Sequence, residues 1–217
     1  MGFNLLQIAS DTVVPFSQLM EEPIKIAIAE DHELLRKGLV SILGSEPQFE
    51  VVFEAQNGMQ IMDALEKAQP SVLLLDLDMP YMSGIEVLNE LEKKYPNVKA
   101  IMLSMHNSKN FVLQCLILGA RGFLAKNTNV EKIIESIESV HKYGFHINDD
   151  QSMVFLESEV RKREIAVPQT GNSMDWYEDL FRGDCIESLV EKYQVDPDAI
   201  TSFWYAFQNS LLKQRLV

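Results

Sequence analysis

The sequence predicts an α/β fold, a doubly wound five-stranded parallel sheet, followed by a small all-α unit. Short strand-like runs such as Ile24–Ala29, apolar but for Lys25, and the solid apolar residues 72–75 alternate with longer stretches of helical periodicity, the pattern of strands covered on both faces. The runs end in polar side chains: Glu30-Asp31 after the first, Asp76 after the third, Ser104 after the fourth. In open α/β sheets that carboxyl edge is where ligands and chemistry sit. Beyond Tyr143-Gly144 no further strand-like run appears, and the remainder reads as linker and helices.

The elements follow in order. Residues 1–22 precede the pattern and read as an N-terminal extension, or as a start placed too early, since Met20-Glu21-Glu22-Pro23 would open naturally before the first strand. From 24 to 143 the order is β-α repeated five times, with helices expected at 34–44, 58–68, 83–94, 111–118 and 130–143. Gly119 closes the fourth helix. The fifth carries Val130, Ile133, Ile134, Ile137 and Val140 at helical spacing, so one face packs on the sheet. Residues 23–147 therefore form the first domain. A linker spans 148–172, with a helix at 151–163 and then Pro168-Gln169-Thr170-Gly171-Asn172. Arg161-Lys162-Arg163 within it reads as a solvated face. The last domain, 173–217, is helical, with segments at 174–181, 186–193 and 198–214. Asp196 is placed to cap the last of these and Pro197 to open it. Two helices joined by a tight turn are a helix-turn-helix pattern.

Composition bounds the partners. The chain has 217 residues and a net charge of −13. Residues 1–150 hold 21 acidic and 12 basic side chains, the rest 11 and 7, so both parts are acidic. That balance opposes nucleic-acid binding, which calls for basic surface. No apolar run approaches the ~20 residues of a membrane helix, no secretory signal is evident, and Leu6 spoils the myristoylation pattern begun by Met1-Gly2. Cys115 and Cys185 lack metal spacing and read as small buried hydrophobes. A cytoplasmic protein without a membrane partner is expected.

The strand ends carry the chemistry. Glu30, Asp31 and Asp76 meet at one sheet edge, with Ser104 and Lys126 from the fourth and fifth strands. Three adjacent carboxylates repel one another, which favours a hard divalent cation such as Mg²⁺ beside a phosphoryl group. Lys126 and the Ser104 hydroxyl would then bind phosphoryl oxygens, and Asp76 would be the nucleophile that becomes an aspartyl phosphate. Singly, each residue has a plainer reading: Asp76 a turn former, Lys126 a solvated lysine, Ser104 a helix cap. Together, at matching strand ends, they favour the phosphoacceptor. His32 reads as a capping residue and His106 as an exposed loop histidine.

Four motifs in order then carry a resemblance: Ile28-Ala29-Glu30-Asp31-His32 with Arg36-Lys37-Gly38-Leu39, Leu75-Asp76-Leu77-Asp78-Met79-Pro80 with Ser83-Gly84, Leu103-Ser104-Met105-His106, and Gly119-Ala120-Arg121-Gly122-Phe123-Leu124-Ala125-Lys126. They resemble the receiver domain of two-component response regulators, most closely the NarL/FixJ subfamily, over about residues 23–147. The resemblance implies a flavodoxin-like receiver that accepts a phosphoryl group from a histidine kinase on Asp76. It further implies Mg²⁺ held by Asp31, Asp76 and the Asp78 backbone carbonyl, with Glu30 acting through water. Ser104 and Lys126 would follow the phosphoryl group, and Phe123 holds the aromatic switch position. Self-dephosphorylation would be the only catalysis. Glu30 departs from the commoner Asp, lengthening the arm at the same charge. A haloacid-type phosphatase also uses Asp-x-Asp, which Asp76-x-Asp78 matches, but that motif belongs on a first strand and here lies on the third.

Residues 183–211 resemble the LuxR-type helix-turn-helix, with Val195-Asp196-Pro197 in place of Ile-Ser-Pro and Ile200, Phe207 and Leu211 at its apolar core positions. This implies DNA binding and transcription regulation. The polar positions depart: Thr201, Phe203, Ala206 and Ser210 stand where Lys or Arg, His, Asn and Lys are usual, and no Lys or Arg occurs from Asp198 to Leu212. Only Gln208 and Asn209 could read bases. Phe203, Trp204, Tyr205 and Phe207 crowd one and a half turns; two or three fit a core, and all four cannot easily face inward. An aromatic surface favours a protein interface or a homodimer, so Phe203, Trp204, Tyr205 and Gln208 are the expected output contacts. Two output readings stand side by side, a DNA-binding regulator and a protein-interaction or dimerisation module.

Overall fold

The computed structural model describes residues 22–105, 109–146 and 186–212. Within them the chain runs β1 (Ile24–Ala29), α1 (Glu33–Leu43), β2 (Phe49–Ala55), α2 (Gly58–Leu65), β3 (Val72–Asp76), α3 (Gly84–Lys94), β4 (Lys99–Ser104), α4 (Lys109–Ile117), β5 (Gly122–Ala125), α5 (Val130–Tyr143), α6 (Ile186–Tyr193) and α7 (Pro197–Leu212). The helices expected at 151–163 and 174–181, His106 and Cys185 lie outside the described residues.

The five strands form one parallel sheet in the order β2-β1-β3-β4-β5. The predicted doubly wound fold is therefore present, and the order reverses between β1 and β3, which opens a crevice at their carboxyl ends. All five residues of β3 are buried. Its side chains alternate between two layers. Val72 and Leu74 pack with Ile26, Ile28, Leu43, Ile137 and Val140. Leu73 and Leu75 pack with Ile61, Leu65, Val87 and Leu91 on the opposite face.

Local signals place the helix ends. Ser83 and Glu86 form a reciprocal capping box at α3, Asn57 and Asn129 cap α2 and α5, and Gly144 closes α5 in the left-handed region at φ +88°. Two receiver helix boundaries differ from expectation by more than one residue. α2 stops at Leu65, ahead of Pro70, which disfavours helical conformation in the residue before it. α4 begins at Lys109, two residues earlier than the apolar pattern suggested.

The C-terminal helices close on the receiver. Ile186, Leu189, Val195, Ile200, Phe203, Trp204 and Phe207 belong to the same continuous apolar cluster as Val112, Cys115 and Leu116 of α4. Trp204 stacks on Phe145, with ring centroids 4.5 Å apart and planes 17° apart. This corrects the expectation that Phe203 and Trp204 offer an open surface: both are buried, as is Phe207, and Tyr205 alone of the four aromatics stays 39 % exposed. The physical reason is that α4 and the segment after α5 supply an apolar wall for the aromatic side of α7. The side chain of Gln208 lies outside the described residues.

Candidate functional site

The site forms where four strands end. Leu75 of β3 pairs with Ala29, so Glu30 emerges beside Asp76, and Asp76 pairs with Leu103 next to Ser104. Ser104 in turn pairs with Ala125, which brings Lys126 alongside. Register alone thus gathers residues 30, 76, 104 and 126.

Lys126 Nζ lies 2.8 Å from Asp76 Oδ1 and 3.0 Å from each Glu30 carboxylate oxygen. Its backbone N–H donates to the Ser104 carbonyl (2.9 Å), tying β5 to β4 at that level. The Asp78 N–H donates to Asp76 Oδ1 (3.3 Å), and the His32 N–H to Glu30 Oε1 (3.2 Å). Glu30, Asp76 and Ser104 are buried, while Asp31 and Asp78 are exposed. Burial raises the Asp76 carboxyl above its ordinary range against the lowering effect of Lys126. Burial also raises Glu30, with Lys126 opposing and the Asp76 charge adding to the rise. For Lys126, burial alone would lower the ammonium, but the hydrogen bonds and charges of Asp76 and Glu30 outweigh it and raise it.

The carboxylate oxygens of Glu30, Asp31 and Asp76 approach within 4.8 Å of one another. Asp76 Oδ2 is buried with no hydrogen-bond partner. One lysine facing three carboxylates leaves the pocket short of positive charge, and an all-oxygen set with one member open to water suits a hard divalent cation. The residues present therefore fit Mg²⁺.

Other expected residues fall as follows. Phe123 is buried on β5, edge-on to Phe111 of α4 with centroids 6.1 Å apart. His32 caps α1, its Nδ1 accepting from the Leu35 N–H at 3.4 Å. Cys115 is buried, its thiol pushed up to about 12 by desolvation.

Sequence reasoning missed the role of Arg36. Its guanidinium is buried, donates to the Glu30 carbonyl (2.7 Å), and pairs with Glu54 on β2 (3.2 Å), so it holds the β1–α1 turn from which Glu30 and Asp31 project. The signal was present, because Arg36 sits on the buried stripe of α1 with Leu39 and Leu43, where a charge demands a partner. Gly84 is also structural here: a Cβ at that position would stand 2.3 Å from the Asp76 carbonyl oxygen.

Residues 26–138 match the family model of the response regulator receiver domain. The chain belongs to the response regulator receiver family. Its first domain is the receiver of a two-component response regulator, and its relatives are LuxR-family regulators. It is 37% identical over 131 residues to the transcriptional regulatory protein DegU of Brevibacillus brevis, a match covering 60% of this chain and 56% of DegU. The chain thus spans little more than half the length of that relative. It is 35% identical over 180 residues to the transcriptional regulatory protein UhpA of Escherichia coli strain K12, covering 82% of this chain and 86% of UhpA. A crystal structure of a DNA-binding response regulator of the LuxR family from Staphylococcus aureus superposes with TM-score 0.52 at 29% identity, covering 55% of this chain and 99% of that one. Among the described residues, no helix is long and apolar enough to cross a membrane.

Proposed function

We propose that this response regulator accepts a phosphoryl group from a histidine kinase on Asp76 in the cytoplasm. The observation that carries this is Lys126 Nζ held between Asp76 and Glu30 at 2.8 and 3.0 Å, inside a cluster of three carboxylates. Asp76 Oδ1 is held by Lys126 and by the Asp78 N–H, and Oδ2, free of hydrogen bonds, is the oxygen poised to attack phosphorus. Asp31, Asp76, the Asp78 carbonyl and, through water, Glu30 would hold Mg²⁺, which when bound supplies charge to offset that developing on the phosphoryl oxygens. Lys126 turns from the carboxylates to a phosphoryl oxygen, and the Ser104 hydroxyl takes another. That shift at β4 and β5 bears on Phe123 and, through its contact with Phe111, on α4. Leu34 and Ile42 on α1, exposed apolar side chains lining the cleft beside Lys126, suit the docking of a protein phosphoryl donor.

The experiment is incubation with acetyl phosphate and Mg²⁺, read by intact mass. One added phosphate is expected, lost in Asp76→Asn; labelling that persists in that variant would overturn the assignment. For the output, the names of the relatives support transcription regulation through DNA. The burial of Phe203, Trp204 and Phe207, with no Lys or Arg between Asp198 and Leu212, supports a protein-interaction module instead. Titration with duplex DNA at about 50 mM salt separates them, since a DNA reader binds tightly there and loosens steeply as salt rises.

A further inference from the structure

We propose, resting on the Mg²⁺ reading of the carboxylate cluster, that Arg36 is a positioning residue for the divalent cation. It is not one of the ligands. Seated by Glu54, it sets how tightly Asp31, with Asp76 and Glu30, holds the cation.

Asp31 is the least anchored of the three carboxylates. Glu30 and Asp76 are buried, and Lys126 ties their side chains together at 3.0 and 2.8 Å. Asp31 is exposed, so the backbone that carries it, and not packing, decides where its carboxylate stands. That backbone leaves β1 at the Glu30–Asp31 peptide. The Glu30 N–H still donates to the Ala55 carbonyl of β2 (3.1 Å), whereas the Glu30 carbonyl lies past the end of the strand.

Arg36 supplies what the sheet does not. Its Nη1 donates to that carbonyl at 2.7 Å in a buried contact. A peptide is planar, so holding the Glu30 C=O also fixes the Asp31 N–H and the direction in which Asp31 leaves. Arg36 is itself held at two points. Its backbone N–H donates to the His32 carbonyl (3.0 Å) in the first turn of α1, and its Nε pairs with Glu54 Oε2 at 3.2 Å. Glu54 stands on β2 in register with Ile28, so the tie runs from α1 to a fixed strand. The guanidinium suits this bridge, because one planar fork meets a carbonyl and a carboxylate at once.

Charge and geometry forecast opposite effects for this residue. As a charge, a guanidinium near a cation site repels the cation, and deleting it tightens binding. As a brace, it holds one ligand in place before the cation arrives, and deleting it loosens binding. The Arg36 charge is offset by Glu54 beside it. Mg²⁺ demands near-ideal octahedral geometry, so a ligand free to wander weakens the site markedly. Geometry therefore dominates, and the sign of the effect separates the two roles.

The test titrates the full chain with Mn²⁺, reads free Mn²⁺ by electron paramagnetic resonance, and displaces bound Mn²⁺ with Mg²⁺. The wild-type chain is expected to hold a single Mn²⁺. Arg36→Met is expected to hold the same number at about 10- to 100-fold weaker affinity, the scale for residues that orient metal ligands. Equal or tighter binding by Arg36→Met would overturn the proposal. Fewer sites per chain at unchanged affinity would also overturn it, because a purely structural role lowers the folded fraction and leaves the site in folded chains intact. If Arg36→Met does not fold, Glu54→Ala decides, measured at about 0.5 M salt, where the charge of an exposed carboxylate is screened. Weaker affinity there supports the brace, and unchanged affinity overturns it. A wild-type chain that binds no Mn²⁺ would overturn the metal reading and this inference with it, whereas intact wild-type binding with an unmoved variant counts against Arg36 alone.

Discussion

Lys126 holds two buried carboxylates that would otherwise repel each other, so its removal acts on stability as well as on chemistry. Lys126→Met is expected to cost about 3 kcal/mol, the usual scale for leaving a buried charge unpaired. Added Mg²⁺ should recover part of that loss in a thermal-shift measurement, because a cation meets the same need. Asp76→Asn should act in the opposite direction. Asp76 and Glu30 are held above their ordinary values of 3.8 and 4.5, so the folded protein keeps protons that the unfolded chain has released. The stability these groups contribute is present below the ordinary values and is lost as pH rises through the raised ones. The urea midpoint should therefore fall as pH rises above those ordinary values. In Asp76→Asn the fall should be smaller and the protein at neutral pH more stable, read as a higher urea midpoint. At this scale the sequence was informative wherever a charged or polar residue ended an apolar run, which is how residues 30, 31, 76, 104 and 126 were found. Arg36 escaped because its role is set by partners on other segments, the Glu30 carbonyl and Glu54.

The loop between β3 and α3 shows what one element needs to present Asp76 and Asp78. The Met82 N–H donates to the Pro80 carbonyl (2.8 Å), closing a tight γ-turn about Tyr81, which sits at φ +67° with 85 % of its surface exposed. A bulky residue in that conformation is strained. Tyr81→Asn should thus stabilise the protein by about 1 kcal/mol, measured as a higher urea midpoint at unchanged slope. Gly84→Ala should do the reverse, since the added methyl meets the Asp76 carbonyl oxygen at 2.3 Å; a loss of about 2 kcal/mol is the overpacking scale. The helix starts were legible because Ser83 with Glu86 and Asn129 with the run after it are local signals. The strain at Tyr81 was not, because nothing in the local pattern marks a tyrosine as the apex of a γ-turn.

Across the whole molecule, the Gly144–Tyr205 contact links the end of α5 to α7, and it can be measured as such. Gly144→Ala meets both the cost of a positive φ and the Tyr205 hydroxyl at 2.5 Å, whereas in a Tyr205→Phe background the oxygen is gone and the φ cost remains with the ring carbon at 3.3 Å. A double-mutant cycle on urea stability should give a coupling of about 1 kcal/mol. Additivity of the two substitutions would mean that α7 does not press on the end of α5. The crowding of four aromatics on α7 signalled an unusual surface, and the count of two or three core positions matches the three that are buried. What they would be buried against was hidden, because Phe145 precedes Trp204 by some sixty residues and no local pattern links them.

By itself the sequence determined the alternation of strands and helices, the family, and the set of polar residues delivered to the carboxyl edge of the sheet. Apolar periodicity, caps and strand-end residues are properties of neighbours along the chain, so they can be read from it. Only the tertiary structure decided the register that sets Lys126 between Glu30 and Asp76, the anchoring of the β1–α1 turn by Arg36, and the burial of the aromatic side of α7 against Phe145 and α4. Each of these is a contact between distant segments, fixed by how the packed sheet and its helices fit in space.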